Sequence, residues 1–223
     1  MLGTCVSLYD ESGNLLRPWA EAGYTCYCFD LEGIERDEGN LHFIKADVTS
    51  ASTQSFILSL RPYAIFGFPP CTDVAVSGAK HFERKLRDDP AAQAKAAELA
   101  LIIPMLAQDS GSIWMFENPK SMLVHHFGPP DHVFHPWEFG GYLPENDIHP
   151  RWPDYIPARD AYPKETYLWS GGGYRFPEKA PVYCPPGWSP QTTKLGGKSA
   201  KTKQIRSETP RGFAKANFMA NRK

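Results

Sequence analysis

A hydrophobic run from Tyr63 to Phe68 stops at two prolines, and Cys71 follows at once in "IFGFPPCTDVAVSG". A thiolate is a strong nucleophile, and its pKa falls near a helix N-terminus or a positive charge. The prolines fix the direction of this corner, and "HFERKL", His81 to Leu86, reads as a helix just beyond it. A lone cysteine is most often a packing residue, but this one sits in a polar corner. Further on, "GSIWMFENP" carries an apolar run into Glu117-Asn118-Pro119. A carboxyl there, raised in pKa by burial, can donate a proton to a ring nitrogen. Three acids complete the set: Asp10 in the loop "DESGN", Asp30 after "YTCYCF" and Asp47 after "LHFIKA". An acid-rich loop with Gly13 alone lacks the G-x-G-x-x-G of a diphosphate cradle. It suits a cationic cofactor, an amine or a sulfonium. Asp30 or Glu32 is placed for ribose hydroxyls, and Asp47 for an exocyclic amine. A cysteine, a proton-donating glutamate and an adenosine-like site together fit attack on an electron-poor ring.

These residues share one property: each closes a predicted strand. "TCVSLY" is the first strand, and "LLRPWAEAG" a short helix ended by Gly23. "YTCYCFDLE", "LHFIKADV", "YAIFGF" and "GSIWMFENP" are further strands, and "TQSFILSL" has helical spacing. "DDPAAQAKAAELALIIPMLAQ" is the strongest helix, with an Asp cap and Pro90 near its start. Pro104 is expected to kink or shorten it. The alternation predicts an α/β, Rossmann-like doubly wound sheet over residues 1–127. In such sheets ligands sit at the carboxyl ends of the strands, where the chemistry-bearing residues fall.

From 128 to 190 prolines, glycines and aromatics crowd in, which predicts a small loop-rich lobe of ordered loops and short strands without a second core. "KETYLWSGG" is its best strand, and "TKLGGKSAKTK" reads as a flexible link. "SETPRGFAKANFMANR" reads as a closing helix with Pro210 at its start, so that 191–223 is a basic linker plus a helix returning to the core.

The 223 residues carry a net charge of −1, which alone predicts no partner. From Lys194 onward, however, nine cations face only Glu208, enough to meet a polyanion. Five cysteines in no regular framework, no signal peptide and no apolar run long enough for a membrane suggest a reducing compartment. Cys26 and Cys28 form C-x-C without a second pair and read as packing residues, not zinc ligands; no metal is expected.

"FGFPPCTDVAVSG" resembles the Pro-Cys motif of the DNA (cytosine-5) methyltransferases, and "FENP" their Glu-Asn motif. The opening loop and Asp30 resemble their S-adenosylmethionine motifs, and Asp47 the next, adenine-side acid. The likeness covers residues 5–120 and the C-terminal helix, and the compact form is most like the small enzymes of phages and prophages. It implies a methyltransferase sheet and transfer of methyl from S-adenosylmethionine to C5 of a flipped cytosine. Cys71 would add to C6 and Glu117 would hold N3 and the exocyclic amine. The cofactor would lie against Tyr9, Asp10, Ser12 and Gly13, then Asp30 and Leu31, Asp47 and Val48, and Phe68 and Pro70 of the corner. Pro69, Thr72, Ser77, Asn118 and Pro119 would shape the substrate side. DNA is the implied partner of a monomer in the cytoplasm, that of a bacterial host if phage-encoded.

Two departures stand out. The family's Gln-x-Arg-x-Arg strand has "PKETYLW" as its nearest counterpart, with Lys164 near the Gln and Thr166 near the first Arg. Lys164, Arg151, Arg159 or Arg206 would supply the missing charge. The 128–190 lobe is also small for target recognition. Trp137, Arg151, Trp152 and Trp169 are its candidates for base contact, with packing favoured for Trp169. Other readings share the scaffold: a different transferred group, a modified or free pyrimidine nucleotide as substrate, or an inactive DNA-binding relative. Amino-methyltransferases are disfavoured, since Cys71 stands where they place an aromatic residue after Pro-Pro.

Overall fold

The computed structural model of the chain describes residues 2–75, 87, 89–186, 194–196 and 199–223. They form two units, Met1–Val133 with Glu165–Tyr174, and Phe134–Lys164 with Arg175–Lys223.

The first unit is a Rossmann-like α/β fold. Strands β1 (Thr4–Leu8), β2 (Thr25–Asp30), β4 (Leu41–Lys45), β5 (Ala64–Gly67) and β6 (Ile113–Pro119) run parallel. β3 (Arg36–Glu38) is antiparallel to β4, and β8 (Thr166–Gly171) is antiparallel to β6. With β7 (His132–Phe134) at the edge, the sheet order is β3-β4-β2-β1-β5-β6-β8-β7. The order reverses between β1 and β5, which pair in register Leu8 with Gly67. A crevice at that reversal, outside the carboxyl ends, is where open α/β sheets bind ligands.

The helices follow from local signals. Pro18 opens α1 (Arg17–Glu21). Ser50 caps α2 (Ala51–Ser59), its hydroxyl accepting from Thr53 N at 3.3 Å. Asp89 accepts from Ala91 N ahead of α3 (Ala92–Ser110), Gly111 ends that helix with a left-handed φ of 70°, and a single turn, α4 (Val124–Phe127), follows β6. Pro104 neither shortens nor ends α3. A proline removes one ladder bond, and the buried Ile103, Leu106 and Ala107 hold the turns around it. The core joins Val6, Leu8, Phe29 and Ile65 of the sheet to Ile57 of α2 and Ala100 and Ile103 of α3. Gly67 is required there, because a side chain would strike Ile103. Cys26 and Cys28 are buried packing residues, in agreement with the sequence.

The second unit differs from the expected loop-rich lobe, because it has cores of its own. Phe134 stacks on Phe213 at 4.4 Å, and Phe139 and Phe176 pack around them. Ile156, Tyr162, Leu195 and Ile205 form a second cluster. The basic stretch read as a link contains the start of α5 (Ala200–Ser207), capped by Ser199, whose hydroxyl accepts from Thr202 N. α6 (Arg211–Asn221) begins after Pro210 and packs on the turn Pro136–Tyr142 of its own unit. The 1–127, 128–190 and 191–223 divisions are therefore redrawn: β8 completes the first sheet, and α6 belongs with the aromatic lobe.

Candidate active site

Two clusters form at the carboxyl edge of the first unit. The first is the loop after β1. Tyr9 is in the left-handed region at φ 60°, turning the chain off the sheet. Asp10 is buried and accepts from Ser7 Oγ at 2.6 Å, Ser12 N at 3.1 Å, Ser12 Oγ at 2.9 Å and Gly13 N at 2.7 Å. A buried carboxylate requires such donors, so Asp10 shapes the loop from beneath. Gly13 has φ +67°, and a Cβ there would come within 2.6 Å of the Phe43 ring. The Tyr9 hydroxyl donates to Leu99 O at 2.8 Å, tying the loop to α3, and burial holds its proton tightly.

The neighbouring strand ends supply the other two acids. Asp30 Oδ1 accepts from Glu32 N at 2.8 Å. Burial pushes the Asp30 carboxyl above its ordinary range, and the charges of Glu11 and Asp10 push it the same way. Leu31 beside it is 62% exposed. Asp47 Oδ1 accepts from Thr49 N and Thr49 Oγ1, which hold its carboxyl below the ordinary range. Val48 turns into the core, so it supports this edge from inside.

The second cluster joins β5 to β6. Gly67 pairs with Phe116, so Phe68 and Pro69 leave the sheet beside Glu117 and Asn118. Asn118 Nδ2 donates to Pro69 O at 2.9 Å. Beyond Cys71, Val74 N and Ala75 N donate to Cys71 O, Met122 N donates to Val74 O at 2.8 Å, and Ala75 bridges to Ser121. The cysteine corner is thus held by the 118–122 segment on both sides. Cys71 is half-buried, Thr72 exposed and Glu117 8% exposed. Pro70 is exposed at the rim and Phe68 half-buried. β8 runs alongside, with Thr166 opposite Pro119 and Leu168 opposite Glu117.

The first unit thus gathers Cys71, Glu117, Asn118, Pro119 and Thr166 around adjacent strand ends. Ser77 and the helix read at His81 to Leu86 lie outside the described residues. Lys164, Arg151 and Arg206 fall in the second unit. Lys164 precedes β8 and donates from Nζ to Arg206 O at 3.1 Å. Trp169 is a packing residue, stacked on Phe116 at 5.0 Å, with Nε1 donating to Gly128 O. Sequence reasoning missed Ser7, Ser121 and Met122. Ser7 had a legible signal, a hydroxyl within an otherwise apolar strand. Met122 acts through its backbone and had none.

No family model matches the sequence, and no curated protein matches it at a significant level. Among solved structures, 49% of the chain is similar to the epimerase Mth375 of Methanothermobacter thermautotrophicus, at 19% identity and a TM-score of 0.35. A protein assigned as an NAD-dependent epimerase/dehydratase from Methylobacillus flagellatus is similar over 40% of the chain, at 20% identity and a TM-score of 0.26. The matched stretch spans 33% and 34% of those chains, about a third of each. Among the described residues, no helix is long and apolar enough to cross a membrane, and no three His, Cys, Asp or Glu side chains gather as metal ligands.

Proposed function

We propose that the chain is a DNA (cytosine-5) methyltransferase using S-adenosylmethionine, acting through Cys71 and Glu117. The observation that carries the reading is the Asn118–Pro69 bond, which sets a Pro-Pro-Cys corner beside a Glu-Asn-Pro strand end. Two features support the cofactor class. The charges of Glu11 and Asp10 act on Asp30 at the same edge, a field that favours a cationic ligand and opposes a diphosphate. The sheet also departs from the six parallel strands of dinucleotide-binding folds, since an antiparallel strand lies beside β6.

The chemistry assigned to the chain's own groups is as follows. The target cytosine leaves the duplex stack, where C6 is out of reach. The Cys71 thiol gives up its proton to solvent water, and the Sγ thiolate bonds to C6 as the C5–C6 electron pair moves to C5. Glu117 delivers a proton to N3 to accept the charge that develops in the ring. S-adenosylmethionine supplies the methyl group when bound, held by the Gly13 loop, Asp30 and Asp47. A base then takes the C5 proton, the C5–C6 double bond re-forms, Cys71 leaves as thiolate and the N3 proton returns to Glu117. Asn118 orients the cysteine corner, and Thr166 flanks Pro119 on the substrate side.

The test uses duplex DNA containing 5-fluorocytosine with methyl-labelled S-adenosylmethionine. The wild type should form a covalent complex stable to denaturant, and Cys71→Ala should form none. On ordinary DNA the label should appear in 5-methyldeoxycytidine. Cofactor binding without either product would overturn the assignment.

A further inference from the structure

The second unit carries a cationic face that the transfer reaction does not use. His149 Nδ1 accepts from Arg151 N at 3.3 Å and Trp152 N at 3.0 Å, closing a turn that presents Arg151 and Trp152 together. Trp152 Nε1 donates to Glu208 Oε2 at 2.9 Å, which fixes the indole. α5 buries Thr202 and Ile205, the latter within the Ile156–Tyr162–Leu195 cluster, and leaves Lys201 exposed. Lys201 Nζ lies 4.7 Å from the Tyr155 ring centre and 5.9 Å from that of Trp152, and donates to Tyr155 Oη at 3.3 Å. The Arg151 guanidinium sits 5.2 Å from the Trp152 ring, and Lys194 Nζ donates to Asp154 O at 2.9 Å.

Arg151 and Lys201 are therefore held mainly against the ring faces of Trp152 and Tyr155, and Lys194 by the neutral carbonyl of Asp154. Among the described residues, the only carboxylate within 4.0 Å of any of them is Glu208, 3.9 Å from Arg151. Glu208 is 4% exposed and already accepts from Trp152. An ammonium has three donors, and Lys194 and Lys201 each show one in use. Cation–π contact positions the charge without neutralising it, so the face keeps surplus positive charge and spare donors. That chemistry fits a repeating anion.

We propose that Arg151, Lys194 and Lys201 form a docking face for the phosphate backbone of nucleic acid. The proposal shares with the methyltransferase reading only the class of partner. Its test is run in a Cys71→Ala background without cofactor, so that the two stand or fall separately. Affinity for labelled duplex DNA is measured over a salt series for the parent, each single alanine variant and the triple. Each neutralised contact should lower the salt slope by about 0.9, and the triple by about three times that. Lys179→Ala, whose ammonium pairs with Glu138 at 2.9 Å elsewhere in the unit, should leave the slope unchanged. A triple variant with parental fluorescence and an unchanged slope overturns the proposal, as does loss of binding to heparin with retention of DNA binding. A parallel loss on single-stranded DNA supports backbone rather than duplex recognition by this face.

Discussion

The Asn118 side chain donates to the backbone carbonyl of Pro69 at 2.9 Å, fastening the end of β6 to the corner that carries Cys71. Pro69 and Pro70 have no N–H, so this stretch cannot anchor itself through its own donors. Asn118 is 1% exposed, and Asn118→Ala strands a buried carbonyl, a loss of about 1–3 kcal/mol. Urea denaturation should show that loss, and 5-fluorocytosine trapping should slow while DNA affinity holds. Asn118→Asp keeps the size but faces a carbonyl with an acceptor, so it should fall below Ala in both measurements. An Asp variant equal to wild type would remove the positioning role.

Glu117→Gln keeps the shape of a buried side chain but cannot pass a proton to a ring nitrogen. Single-turnover methyl transfer should fall by about 10²–10⁴-fold, with the unfolding midpoint and DNA affinity close to wild type. A KM effect alone would make Glu117 a binding residue.

Gly13→Ala tests the loop. The new Cβ meets the Phe43 ring, and φ +67° disfavours any L side chain. The expected result is a cofactor Kd raised at least about tenfold by calorimetry, with a stability loss of about 1–3 kcal/mol. Phe43→Leu in the same chain should recover part of the stability and none of the φ strain.

The second unit should show opposed pH effects. Burial raises Asp160 to about 6, against the donors Gly212 N and Arg211 nearby. Its folded form binds more protons than the unfolded chain, so this group's contribution falls as pH rises from about 4 to 6. His149 is lowered to about 4, by burial first and then by Arg211 and Arg151, against Asp147. It contributes the opposite slope, stabilising as pH rises through the same window and onward to its ordinary value. Asp160→Asn keeps an acceptor for Gly212 N and removes the first effect. Its urea midpoint should therefore climb more steeply between pH 4 and 6.5 than that of the wild type.

The site strands were legible because each is a short apolar run cut off by an acid, a proline or a glycine, as at Phe29-Asp30 and Phe68-Pro69. β3 was not: Arg-Asp-Glu has no strand pattern, and it is extended only because β4 offers it an edge. α5 was hidden because Thr202 and Ile205 are its only buried positions in a basic stretch. The second core escaped notice because its aromatics come from distant segments, Phe134 meeting Phe213. Cys71 and Glu117 could be singled out by residue type. The Asn118 bond could not, since it spans 49 positions and depends on the register of β5 with β6.

The late arrival of β8 has a consequence during synthesis. Among the described residues, one edge of β6 is covered only by Thr166–Gly171, and residues 134–164 are made in between. At roughly 5–20 residues per second, the nascent chain carries an open strand edge for seconds after Cys71 and Glu117 have left the ribosome. Such an edge is a template for pairing with other chains. The growing polypeptide is most exposed to misassembly in that interval, and truncations ending before residue 166 should be recovered as aggregates.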